Sequence, residues 1–165
     1  MSFSNTNSVV AADLNNCLRG LNRDNSTYTV TGTTAETDMA PLSITGGTIG
    51  ATGALHVIAA GTITGSAGTK RIRLYLGATA IGDTTAVTGT ADWMFDVWIF
   101  NTSSSAQRCI VNWADHQNAT NFNHDYITAA TDTASTQTLK LTGTLGNSAD
   151  SIVQTVFDVF VAQVT

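Results

Sequence analysis

Residues 70–77 read KRIRLYLG, and their alternation decides the fold. Ile72, Leu74 and Leu76 fall on one side of an extended chain, and Arg71, Arg73 and Tyr75 on the other. That is the two-residue period of a strand with one buried face. Three of the seven basic residues sit here, in a chain of 165 residues with a formal net charge of −5. The two-arginine face therefore needs a partner.

Outward from this stretch the chain reads as a succession of strands. Candidates are 28–32, 37–45, 53–64, 69–77, 78–84, 91–101, 106–114, 122–130, 135–145 and 151–164. Gly-, Ser-, Asn- and Asp-rich turns such as GGTIG, GSAG, NTSSS and GNSAD separate them. Short strands at such regular spacing indicate an all-β sandwich or barrel. No repeat of fixed period is present.

The first segment differs. Ser8 is placed to cap a helix, and Val10, Leu14, Leu18 and Leu21 follow at helical spacing, with Cys17 on the same stripe. Gly20 and Asn22 to Asn25 supply a stop. This predicts an amphipathic helix over 9–21 within an N-terminal arm of residues 1–26, followed by a β-sandwich domain over 27–165. So short a helix is marginal alone, so its leucine stripe must dock, either on its own domain or on a neighbouring subunit.

Two strands carry apolar residues on both faces. In DWMFDVWIF (92–100), Trp93, Phe95, Val97 and Ile99 oppose Met94, Trp98 and Phe100, which stand beside Asp96. In the last strand Val153, Phe157, Val159 and Val161 oppose Val156, Phe160 and Val164, with Asp158 among them. A sandwich strand ordinarily shows a polar face to water. A covered second face, and hence an oligomer interface through Trp98, Phe100 and Phe160, is the expectation.

Only 12% of residues are charged, against an average of about 25%. Such a surface suits a protein that works inside an assembly. There is no run of about 18 apolar residues to span a membrane. MSFSNTNS lacks the features of a signal peptide, so assembly in a cytoplasm is expected. The three Asn-x-Ser/Thr sites at Asn25, Asn101 and Asn118 then read as chance. Cys17 and Cys109 lack metal-site spacing and are expected as two buried thiols rather than a disulfide.

Chemistry-bearing patterns are few. GTITGSAGTK (61–70) has the glycines of a phosphate loop but neither its spacing nor a following helix, and reads as a hairpin turn. WADHQNATNFNHD (113–125) is the densest polar stretch, with Trp113, Asp115, His116, His124 and Asp125 as a candidate ligand loop at one end of the sandwich. It lacks the spacing of a calcium loop or a His-x-x-x-His pair, so a solvated loop is favoured and no metal or cofactor is expected. His56, within a strand, reads as a hydrogen-bonded structural histidine. No nucleophile–base arrangement is present, and Glu36 is the one glutamate. Asp96 and Asp158 are conceivable as a catalytic pair but read better as ion-pair partners. Nucleic acid is not an expected partner, because KRIR is a local patch in an acidic chain. Arg71 and Arg73 are instead expected to pair with Asp96 or Asp158, across sheets or subunits.

Four stretches carry a family likeness: ADLNNCLRGLNRDNS (12–26), TGTTAETDMAPLSI (31–44), GALHVIAAGTITGSAGTKRIRLYLGATAI (53–81) and TQTLKLTGTLGNSADSIVQTVFDVFVAQV (136–164). The chain resembles small jelly-roll virion proteins of tailed bacteriophages, which serve as capsid decoration (cement) proteins or as head- and tail-fibre tip domains. The resemblance implies a two-sheet, eight-stranded jelly-roll sandwich, commonly a homotrimer, and carries no functional residue over to this chain. On this reading the trimer binds the major capsid protein on the virion surface, with Val10, Leu14, Leu18 and Leu21 docking there. A receptor- or glycan-binding fibre tip is the alternative.

Overall fold

The computed structural model describes residues 18–84, 86–116 and 121–162. Among them all regular structure is β-strand: β1 (Arg19–Asp24), β2 (Tyr28–Val30), β3 (Thr37–Ile44), β4 (Ala54–Thr64), β5 (Lys70–Leu76), β6 (Thr79–Asp83), β7 (Ala91–Ser103), β8 (Ala106–Asp115), β9 (Asn121–Ala129), β10 (Gln137–Leu145) and β11 (Ser151–Ala162). They form two antiparallel sheets. The larger has the order β1-β11-β4-β7-β8-β9, with β2 also pairing β11, and the smaller β3-β10-β5-β6.

The apolar halves of the alternating strands meet between the sheets. Leu55, Val57, Phe95, Val97, Phe157 and Val159 of the large sheet and Ile72, Leu74, Leu139 and Leu141 of the small one are fully buried. The residues of KRIRLYLG thus divide as their alternation predicts. A two-sheet sandwich results, and its core comes from strands throughout the chain.

The N-terminal reading needs correction. Residues 19–21, given to the end of the helix by their spacing, and residues 22–24 of its expected stop form β1 and pair with β11, Arg19 opposite Val161 and Asp24 opposite Phe157. The register slips between Gly20 and Asn22, which leaves Leu21 as an extra residue packed against the core. Leu18 and Leu21 are three apart, which fits a helical stripe and a bulged strand equally well. The open edge of β11 decides between them, since its backbone groups require partners. Leu21 is thereby taken from any docking stripe. Leu18 stands exposed before β1. Val10, Leu14 and Cys17 lie outside the described residues.

A second correction concerns β11. A register shift against β4 between Gln154 and Val156 resets the alternation. Ile152, Gln154, Phe157, Val159 and Val161 face the core. Val153 joins Val156, Asp158 and Phe160 outside rather than Phe157 inside. Gly61 permits this bulge, because a Cβ there would lie 1.8 Å from the Val153 carbonyl oxygen. Val164 lies outside the described residues. The third correction is that within 113–125, expected as a loop, residues 113–115 and 121–125 are strand, while 117–120 lie outside the described residues. The two strand segments are the end of β8 and the start of β9, with Trp113 opposite Asn123 and Asp115 opposite Asn121.

Satisfied polar clusters tie down both ends of the sandwich. At one end Gln107 Nε2 donates to the Thr131 carbonyl at 3.0 Å, its Oε1 accepts from the Thr131 amide at 2.9 Å, and Asn101 Nδ2 donates to Thr133 Oγ1 at 2.8 Å. At the other, the fully buried Lys70 ammonium lies 2.8 Å from Asp150 Oδ2.

Candidate functional site

The arginines of KRIRLYLG lie on the outer face of the small sheet. The register brings Asp83 of β6 opposite Arg73. Arg71 donates from Nε and Nη2 to both Asp83 carboxylate oxygens, the first at 2.7 Å. Arg73 reaches Asp83 at 3.2 Å and Glu36 at 3.0 Å. Glu36 also accepts from Thr142 Oγ1 at 2.6 Å and the Tyr75 hydroxyl at 3.1 Å. Burial pushes the Glu36 carboxyl up, but the hydrogen bonds from Thr142, Arg73 and Tyr75 outweigh it and hold it below its ordinary value. The expected pairing of Arg71 and Arg73 with Asp96 or Asp158 is overturned, because those aspartates stand on the other sheet. Arg71 is 45% exposed, so Arg71→Ala should cost no more than about 1 kcal/mol in denaturant unfolding. A loss of several kcal/mol would contradict the surface assignment.

The large sheet is different. Its outer residues stand directly opposite one another in rows across five strands. One row runs Phe160, His56, Trp98, Ile110, Tyr126, from β11 to β9. A second runs Val156, Ala60, Met94, Ala114, Phe122. Both are almost wholly apolar. The row between them, Asp158, Ile58, Asp96, Asn112 and His124, is largely polar.

Within the first row the His56 ring stacks on Trp98, with centroids 4.3 Å apart, and Trp98 also stacks on Phe100, two residues on along β7, at 5.7 Å. His56 Nε2 lies 2.7 Å from Asp96 Oδ1, which agrees with a structural, hydrogen-bonded histidine. Asp158 Oδ2 accepts from Arg23 Nε of β1 at 3.3 Å. Each aspartate thus has a partner within its own sheet, and neither forms an acid pair with the other. The most exposed side chains of the two apolar rows are on β9, where Tyr126 is 63% exposed and Phe122 81%, against 43% for Ile110 on β8. Ala60, Gly61, Met94, Ala114, Phe122 and Thr155 line an apolar trough of about 460 Å³ on this face.

The predicted ligand loop is not brought together. Trp113 and Asp115 are buried on the inner side of β8, whereas His116 stands at the rim of the trough. His124 and Asp125 are both exposed, on opposite faces of β9. Among the described residues no three His, Cys, Asp or Glu side chains are grouped to hold a metal. Cys109 is buried, and burial pushes its thiol up to about 11. Trp98, Phe100, Asp96, Asp158 and Phe160, predicted for an interface, do share one face. Arg71 and Arg73 do not belong with them. Ile110, Phe122 and Tyr126 escaped the sequence reading, although Phe122 and Tyr126 alternate with His124 in the strand signal of FNHDYI.

Comparison with protein-family models, curated proteins and solved structures finds no match to this chain.

Proposed function

We propose that the chain is a structural virion protein of a tailed bacteriophage: a capsid decoration protein that binds the major capsid protein on the outer capsid as a homotrimer and stabilises the shell. The observation that carries this reading is the outer face of the large sheet. Two apolar rows, with a largely polar row between them, cross five strands there and stand half-buried or exposed among the described residues, and exposed apolar surface of this kind marks an interaction site. Ion pairs and loop ties such as Arg71–Asp83, Lys70–Asp150 and Gln107–Thr131 brace the scaffold, which supports a mechanical role.

Strand order supports the finer fold assignment. β1 and β2 share one flank of β11, and with β11-β4-β7 they make a first four-position sheet against β3-β10-β5-β6. The chain passes between sheets at most connections, as in a jelly roll of two Greek keys. On this reading β8 and β9 are a hairpin added to a core of eight strand positions, one of them shared by β1 and β2, and β9 carries the two most exposed apolar side chains, Phe122 and Tyr126.

A fibre-tip role is the second reading, favoured by the trough beside Phe122, which has room for a small ligand group. Quantitative mass spectrometry of purified particles separates the two. A copy number in step with the major capsid protein is expected for decoration, and one in step with the tail fibres for a tip. Absence from the particle would overturn both.

A further inference from the structure

Five strands flank the two sheets, β1 and β2 sharing one edge of β11, and four of the five are blunted against pairing; β2 is only three residues long. β1 is broken by its bulge at Gly20–Asn22. β3 carries Pro41 and a register shift opposite Lys140–Thr142. β6 has five residues and a register shift against Leu74–Tyr75. Bulges, proline and shortness are the usual means of protecting an edge. β9 has none of them. It runs nine residues in unbroken register with β8, and among the described residues β8 is its one ladder partner. Its single charged residue is Asp125.

We infer that β9 is a pairing edge, and that it joins β9 of a second copy antiparallel about a two-fold axis at His124. Only a register centred on a residue keeps the outer faces of the two sheets continuous, since the side-chain period is two. Centring on Asp125 would set like charges opposite each other. Centring on His124 sets Phe122 opposite Tyr126 of the second copy, and Tyr126 opposite its Phe122, which gives two aromatic cross-strand pairs. On the other face Asn123 meets Asp125 twice, an amide donor against a carboxylate. The two apolar rows of one copy then continue into those of the next. A contact of this symmetry is isologous and does not close a trimer; it joins copies of different trimers or forms a dimer. It does not depend on the virion reading.

Cysteine cross-linking of the full-length chain tests the register. In a Cys17→Ser background, His124→Cys puts two thiols across the axis at a Cα separation of about 4.5–5.5 Å, within disulfide reach. Cys109 is buried and does not compete. Mild oxidation should convert His124→Cys chiefly to a cross-linked dimer. Thr128→Cys, exposed on the same face but far from the axis, should stay uncross-linked. Phe122→Lys with Tyr126→Lys should abolish the His124→Cys cross-link, and so should Phe122→Glu with Tyr126→Glu. Mixing those two proteins should restore it. No cross-link at His124, equal cross-linking at Thr128, or no rescue on mixing would each overturn the inference.

Discussion

Lys70→Met should lower the melting temperature by about 10 °C or more, because removing one partner of a buried ion pair strands the other, and 1 kcal/mol moves Tm by about 2–4 °C in a chain of this size. Lys70 has no exposed surface, and its ammonium is held by Asp150 and by the Ser66 and Gly89 carbonyls. Asp150 in turn accepts from the Ser66 amide at 2.7 Å and the Ser66 hydroxyl at 3.0 Å. The pair therefore ties the β4–β5 turn to the start of β11. The Lys70 hydrogen bond, followed by the Ser66 amide, holds the Asp150 carboxyl below its ordinary value of 3.8. A lowered folded-state value adds stability that is present above pH 3.8 and lost as pH falls through the folded value. Without Lys70 the largest cause of that lowering is gone. The gap in Tm between wild type and Lys70→Met should then narrow on acidification, as thermal melts from neutral to acid pH would record. A gap that stays constant would assign the effect to packing of the lysine stem instead.

Ile110→Lys should weaken self-association by about 30-fold or more, roughly 2 kcal/mol, while leaving the fold of each chain intact. Ile110 lies between Trp98 and Tyr126 in the apolar row, so an ammonium there would have to be desolvated wherever that face is covered. In the single chain it is 43% exposed, so unfolding of the isolated chain should change by no more than about 0.5 kcal/mol. Sedimentation equilibrium of wild type and variant measures the first quantity, and denaturant unfolding at high dilution the second. Unchanged association would remove the outer face of the large sheet from the interface.

The pairing of these two effects reflects what a sequence can disclose. Ten of the eleven strands are legible within a few residues, because alternation in segments such as KRIRLYL and DWMFDVWIF is local and strong. β1 is not, because Leu18 and Leu21 carry a spacing that a helix and a bulged strand share, and the edge that selects the strand belongs to β11. The phase of β11 is lost at its bulge for the same reason: the close approach of Gly61 to Val153 is a contact between distant segments. Ion-pair partners are the least legible. Arg73 meets Asp83 and Glu36, and Lys70 meets Asp150, through register and not through local pattern. The candidate site was half visible. The two-faced strand at 92–100 announced Trp98 and Phe100, but the density of Asn, His and Asp at 113–125 hid a hairpin whose outer positions are Phe122 and Tyr126.

The central claim is that the outer face of the large sheet is buried between copies of the chain. Sedimentation velocity of the purified full-length protein at micromolar concentration tests it most directly. The expected result is a species of trimer mass or, with β9 edges paired, of twice that mass. A single sharp boundary at the mass of one chain, unchanged as concentration rises, would contradict the claim.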